Sequence, residues 1–196
     1  MKKLLLFSGG LDSTALLFLL KPDKALLIDY GQKAFEGELR AAQQLSNIAK
    51  VSFDILEAKI NLDLEKIDNE QITNIPSPEW IPFRNQHILT IGAMYSIRQG
   101  YNNIIIGSVK TDRQYKDGRK TFYKILNKLF SFQEGNIFVS HPGIKLSTKQ
   151  LIQHASLSLD VLGWCHSCTN SYLACGRCPS CIKHQEVMLS LGYNSF

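Results

Sequence analysis

The stretch Ser8-Gly9-Gly10-Leu11-Asp12-Ser13-Thr14 constrains this chain more than any other. It follows an apolar run from Lys3 to Phe7 and opens a second one, Leu11 to Leu20, which closes at Lys21-Pro22. A buried strand, a glycine turn and an immediate helix make the first unit of an α/β fold. Paired glycines let the backbone turn tightly and bring its N–H groups to an anion with no Cβ in the way. Ser8, Ser13 and Thr14 add hydroxyls, and the helix start adds its positive end. Asp12 would repel a bare phosphate, so it is expected to cap the helix or to reach Mg²⁺. Phe7, Ser8, Gly9, Gly10, Leu11, Asp12, Ser13 and Thr14 are read as a phosphate-binding loop. It is not a Walker A loop, because no Gly-Lys-Ser/Thr follows, and it lacks the GxGxxG of a dinucleotide fold.

The rest of the chain repeats the alternation. Strands are expected at Ala25 to Asp29, Val51 to Leu56, Asn103 to Gly107 and Asn136 to Ser140. Helices are expected at Glu36 to Ala49, Gln86 to Arg98 and Phe122 to Phe132, with another starting at Ser147 or Thr148 and running to Ala155. Residues 57–85 read as loop, with Asn74, Pro76, Pro78 and Pro82. The cysteines follow, then a short tail. Apolar strands alternating with helices predict an α/β fold, a Rossmann-like five-stranded parallel sheet with helices on both faces. Residues 1–160 are expected to form the α/β domain, and 161–196 a small C-terminal zinc-binding segment packed on it as one structural unit. Ligands of such sheets bind at the carboxyl ends of the strands.

Composition narrows the class. Hydrophobic residues make up 44% of the 196 and charged residues 20%, which excludes a disordered, collagen-like or coiled-coil chain. The net charge of +5 suits an anionic ligand without proving a nucleic-acid partner. MKKLLLF opens like a secretory signal, but Ser8, Gly9, Gly10 and Asp12 interrupt it. No run approaches the roughly 18 apolar residues of a membrane span. A cytoplasmic protein with no membrane contact is expected.

All five cysteines fall between 165 and 181, as Cys165-x2-Cys168-x6-Cys175-x2-Cys178-x2-Cys181. An odd, clustered set points to metal or redox chemistry rather than a disulfide scaffold. Four thiolates at such spacings can close a tetrahedral Zn²⁺ site, with an iron–sulfur cluster as the alternative. Gly176 permits a tight knuckle, and Pro179 stiffens the next pair. Spacing alone permits Cys165, Cys168, Cys178 and Cys181 as ligands. His166 and His184 read as surface histidines.

The loop resembles the pyrophosphate loop of the N-type ATP pyrophosphatases, which cleave ATP to AMP and pyrophosphate. Loop and cysteines together resemble the 7-cyano-7-deazaguanine synthase (QueC) family over nearly the whole chain. Asp29-Tyr30-Gly31-Gln32 matches its DYGQ, and Ile81-Pro82-Phe83-Arg84-Asn85 resembles its VPGRN. Ile105-Ile106-Gly107, Asp112 and Tyr115-Lys116-Asp117-Gly118-Arg119 resemble its IG…D…YPDCR. Leu146-Ser147-Thr148-Lys149 resembles its LTK, and Cys175-Gly176-Arg177-Cys178-Pro179-Ser180-Cys181 its zinc pattern.

The resemblance implies an adenine nucleotide alpha hydrolase-like fold, ATP, Mg²⁺ and Zn²⁺ as cofactors, and Cys168, Cys175, Cys178 and Cys181 as zinc ligands, with Cys165 extra. It implies catalytic roles for Ser8, Asp12, Ser13, Arg84 and Lys149, and nucleotide contacts at Asp29, Tyr30 and Gly107 besides the loop. Gln32, Arg84, Asn85, Asp112, Tyr115, Asp117 and Arg119 would bind the substrate, 7-carboxy-7-deazaguanine. ATP would adenylate this deazapurine acid's carboxylate, ammonia would displace AMP, and a second ATP would carry the amide to the nitrile. A homodimer is expected by the same resemblance.

The departures are specific. A histidine of the family's DYGQRH is missing at Lys33-Ala34, Phe83 replaces a glycine, and Lys116 and Gly118 replace proline and cysteine. They cluster where the acid, rather than ATP, is expected. A second reading therefore joins a deazapurine acid to another amine, on a protein or a nucleic acid. A third is a tRNA-modifying ATP pyrophosphatase.

Overall fold

The structure is a computed structural model that describes residues 1–59 and 80–193. Five parallel strands run β1 (Lys3–Leu6), β2 (Lys24–Asp29), β3 (Phe53–Glu57), β4 (Asn103–Ile105) and β5 (Phe138–Ser140), in the spatial order β3-β2-β1-β4-β5. The helices are α1 (Leu11–Leu20), α2 (Phe35–Ala49), α3 (Arg84–Gln99), α4 (Lys120–Phe132), α5 (Thr148–His154), α6 (Leu159–Leu162) and α7 (Pro179–Ser190). The expected α/β architecture is present.

Alternation along β1 explains the two layers. Leu5 and Phe7 join Leu16, Leu17, Leu45, Leu151 and Met188 in one core. Leu4 and Leu6 join Leu89, Tyr123, Leu126 and Phe130 in the other. Helices α1, α2, α5 and α7 thus share one face of the sheet, and α3 and α4 cover the opposite face. Chain order reverses between β1 and β4, so the crevice of this fold opens there.

Several expected elements shift. Asn136 has φ 49°, which takes it out of the extended region and delays β5 to Phe138. Ser147 is the cap of α5: its Oγ accepts from Gln150 N at 3.2 Å, and Gln150 Oε1 accepts from Ser147 N at 2.9 Å. The expected short tail is instead the 12-residue helix α7. Cys178 caps it and Pro179 occupies its first turn, the position where proline's fixed φ and missing N–H cost nothing. Asn74, Pro76 and Pro78, where a loop was expected, lie outside the described residues. Among the described residues, no helix is long and apolar enough to cross a membrane.

Candidate active site

A cleft of about 340 Å³ opens beyond the carboxyl ends of β1, β2 and β4. Its floor is the Ser8–Ser13 loop. Gly9 has φ 74°, and a Cβ there would meet Ala41 Cβ at 2.7 Å and Ala42 N at 2.9 Å. Only glycine lets α2 close so tightly under the loop. Gly107, just beyond β4, presses on the same loop, and an added Cβ there would stand 3.2 Å from Ser13 N. Gly10 is the N-cap of α1 and no side chain caps it, so first-turn N–H groups remain for a ligand. Asp12 is not the expected cap. Its Oδ2 accepts from Lys183 Nζ at 3.1 Å, while Oδ1 is buried with no partner among the described residues.

The Asp29-Tyr30-Gly31-Gln32 turn forms a second wall. Asp29 Oδ1 accepts from Gly31 N at 3.0 Å, and Gln32 Oε1 accepts from Tyr30 N at 2.9 Å. Gln32 Nε2 donates to Glu38 Oε2 at 2.7 Å. Burial lifts the Glu38 carboxyl to about 6, against the opposing pull of that bond and of Arg84. Burial likewise raises the Tyr30 phenol, with the nearby Arg84 opposing.

The third wall carries Arg84 and Asn85 at the start of α3, and two 3-10 turns at Lys110–Gln114 and Lys116–Gly118. Arg84 donates to Asn85 Oδ1 from Nε at 3.3 Å and from Nη2 at 3.2 Å, and Asn85 Nδ2 donates to Asp117 O at 3.4 Å. Asp112 Oδ2 accepts from Val109 N at 2.9 Å. Burial raises the Asp112 carboxyl, Lys183 and that N–H oppose, and Asp12 adds to the rise. A Cβ on Gly118 would stand 2.2 Å from Asp112 O, so the cysteine that the family pattern has here does not fit this turn. Phe83, where the pattern has glycine, keeps a glycine-like φ of 59° and is 75% exposed.

The cleft therefore gathers Phe7, Ser8, Gly10, Leu11, Asp12, Ser13, Tyr30, Gln32, Arg84, Asn85, Gly107, Asp112, Tyr115 and Asp117. Gly9 and Thr14 shape the loop from below. Asp29 is turned into its own loop. Two expected residues stand apart. Lys149 Nζ donates to Ser190 O at 2.6 Å, and Arg119 Nε donates to Arg113 O at 2.9 Å. Neither lines the cleft. Sequence reading missed Glu38, Thr148, Ser167, Thr169, Ser180 and Lys183, and placed His166 and His184 on the surface. His166 is buried, its ring N bonding Ser171 O at 3.1 Å, and His184 Nδ1 pairs with Ser167 Oγ at 2.8 Å. Burial lowers both imidazoles, with mutual repulsion adding at His184.

Cys168, Cys175, Cys178 and Cys181 bring their sulfurs within 4.8 Å of one another, and Cys165 is outside the group. Backbone N–H groups of Arg177 and Cys178 aim at Cys175 and draw its thiol down to about 6, the chemistry of a ligand. Cys175 Sγ and Cys181 Sγ are 4.0 Å apart, near the roughly 3.8 Å edge of a tetrahedron with metal–sulfur bonds of about 2.3 Å. The cluster fits a tetrahedral metal. The orphaned Oδ1 of Asp12 fits a hard divalent cation at the loop.

Residues 2–192 match the family model described as "Queuosine biosynthesis protein QueC". The 7-cyano-7-deazaguanine synthase of Chlorobaculum tepidum is 28% identical over 220 residues, spanning 98% of this chain and 93% of that protein. The 7-cyano-7-deazaguanine synthase 1 of Sulfurisphaera tokodaii is 31% identical over 198 residues, 97% of this chain and 94% of its own. Among solved structures, the fold is similar to the U34-tRNA thiolase NcsA from Methanococcus maripaludis with its 4Fe–4S cluster, at TM-score 0.59 and 18% identity over 95% of this chain and 64% of that one.

Proposed function

The chain belongs to the QueC family, and on that premise we propose that it is an AMP-forming ligase that converts 7-carboxy-7-deazaguanine to the nitrile with ATP and ammonia. One observation carries the reading. The Ser8–Ser13 loop and the pair Arg84-Asn85 face the same cleft, so an anchored triphosphate and a carboxylate can meet there.

The loop's N–H groups and hydroxyls hold the phosphates. Asp12 would hold Mg²⁺, which when bound would offset the phosphate charge and make pyrophosphate a better leaving group. Arg84 orients the acid's carboxylate, with Asn85, Asp112, Tyr115 and Asp117 around the purine-like ring and Tyr30 at the nucleotide. A carboxylate oxygen attacks the α-phosphorus and pyrophosphate leaves. Ammonia then attacks the acyl carbon and AMP leaves with that oxygen, giving the amide. A second ATP takes the amide oxygen in the same way, and loss of AMP and two protons leaves the nitrile. Lys149 and Arg119 have no part in this reading, because their side chains are engaged elsewhere.

The four thiolates are read as a Zn²⁺ site. With no open position, zinc there supplies structure rather than catalysis. A 4Fe–4S cluster, with a separate iron for each thiolate, would spread the sulfurs farther than this group lies. The second reading, a larger amine in place of ammonia, has one supporting observation: the exposed Phe83 beside Arg84.

The test is a mass-spectrometric assay of zinc-loaded protein with ATP, Mg²⁺, 7-carboxy-7-deazaguanine and ammonium. AMP with nitrile, two AMP for each nitrile, is expected. AMP with only the adenylate or amide supports the larger amine, and no AMP with this acid overturns the nitrile synthase.

A further inference from the structure

We propose that Lys183 is the cation that binds the nucleotide's phosphate chain over the Ser8–Thr14 loop, and that the four-cysteine centre holds it in place. This rests on reading that loop as the nucleotide site.

The loop carries no lysine of its own and places an anion, Asp12, at its centre. A phosphate chain there needs a cation from elsewhere. Among the described residues, Arg84 and Lys183 are the cationic arginine and lysine side chains that line the cleft. Arg84 is on the opposite wall, bonded to Asn85. Lys183 is at the loop itself, its Nζ 3.1 Å from Asp12 Oδ2. In this arrangement Lys183 occupies the phosphate side with Asp12 as counter-ion, and the incoming phosphate takes that place.

What places Lys183 is the metal centre. Helix α7 is capped by Cys178, whose Sγ accepts from Cys181 N at 3.3 Å, and Lys183 lies two residues beyond Cys181. The same centre grips the loop from its other flank. His166, two residues before Cys168, donates its backbone N–H to Gly9 O at 3.0 Å. Its ring fills the space over Gly37, where an added Cβ would lie 2.5 Å from Nε2. Both flanks of the cysteine segment thus end on the nucleotide loop. If the centre orders Lys183 and His166 for the nucleotide, then the nucleotide must in turn tighten the centre.

The test measures ATP and AMP binding by calorimetry on zinc-loaded wild type, Lys183→Met and Lys183→Arg, and zinc loss to a chromogenic chelator with and without ATP. Lys183→Met is expected to weaken ATP about tenfold or more, the scale of a lost charge-assisted bond, and AMP by less than about twofold. Lys183→Arg should retain most ATP affinity. ATP should slow zinc loss from wild type and not from Lys183→Met. Unchanged ATP affinity in Lys183→Met, equal losses for ATP and AMP, or a zinc-loss rate indifferent to ATP in wild type would each overturn the proposal. Failure of wild type to bind ATP at all would overturn the nucleotide reading beneath it.

Discussion

The two facing walls of the cleft are built in different ways. The loop wall, Ser8–Ser13, is a product of topology: β1 ends, α1 begins, and α2 and β4 close on it at Gly9 and Gly107. Among the described residues, the facing wall, Arg84-Asn85 and residues 110–118, is built of a helix start and 3-10 turns rather than of a strand. Short 3-10 turns and a few tethers hold it, such as Asn85 Nδ2 to Asp117 O and Val109 N to Asp112 Oδ2. A wall made by the sheet leaves little freedom for change. A wall made of tethered turns can be rebuilt locally, and there this chain departs from its family pattern, at Phe83, Lys116 and Gly118.

Breaking the loop wall should have the largest effect. Gly9→Ala combines a left-handed φ with a contact of 2.7 Å to Ala41 Cβ. It should cost about 2–5 kcal/mol in urea denaturation and abolish ATP binding. Gly118→Ala is the counterpart on the other wall, driving a methyl onto Asp112 O. It should cost about 1–3 kcal/mol and weaken the acid while leaving ATP affinity unchanged, read by calorimetry for each ligand. Equal damage to both ligands from Gly118→Ala would erase the distinction between the walls.

Glu38 sits where the walls share charge, bonded to Gln32 and facing Arg84. Its carboxyl is lifted from 4.5 to about 6 by burial, so the folded chain keeps a proton that the unfolded chain releases. Its stabilising contribution is full below about 4.5 and is lost as pH rises through about 6. Glu38→Gln should therefore gain up to about 2 kcal/mol on wild type at about pH 8 and almost nothing at about pH 4.5, by urea midpoints at each pH. The smallest effect belongs to Phe83→Gly. Relief of the φ of 59° should raise stability by about 1 kcal/mol, because a side chain 75% exposed gives up little burial. A loss of stability would mean that the Phe83 ring is packed.

The sheet and loop were legible because they rest on local pattern: apolar runs of strand length, a Gly-Gly turn and helical spacing in Glu36 to Ala49. The group Cys168, Cys175, Cys178 and Cys181 needed family resemblance, since spacing alone left Cys165 in contention; the structure gathers the four without it. What stayed hidden depends on long-range contact. Lys183 reaches Asp12 across 171 residues of chain, and His166 reaches Gly9 only because the cysteine segment folds back on the loop. Helix α7 had a readable signal, Pro179 following a capping Cys178, but the sequence reading gives Pro179 only the role of stiffening the Cys178–Cys181 pair. Lys149 was carried over by motif, and its side chain turns to the end of α7 instead.

The most direct measurement uses 7-carboxy-7-deazaguanine labelled with heavy oxygen on both carboxylate positions, with unlabelled ATP and ammonium. Direct attack of the carboxylate on ATP requires each AMP to leave with one labelled oxygen and the pyrophosphate to stay unlabelled. Unlabelled AMP, or label recovered in phosphate or water, would contradict adenylation of the acid in this cleft.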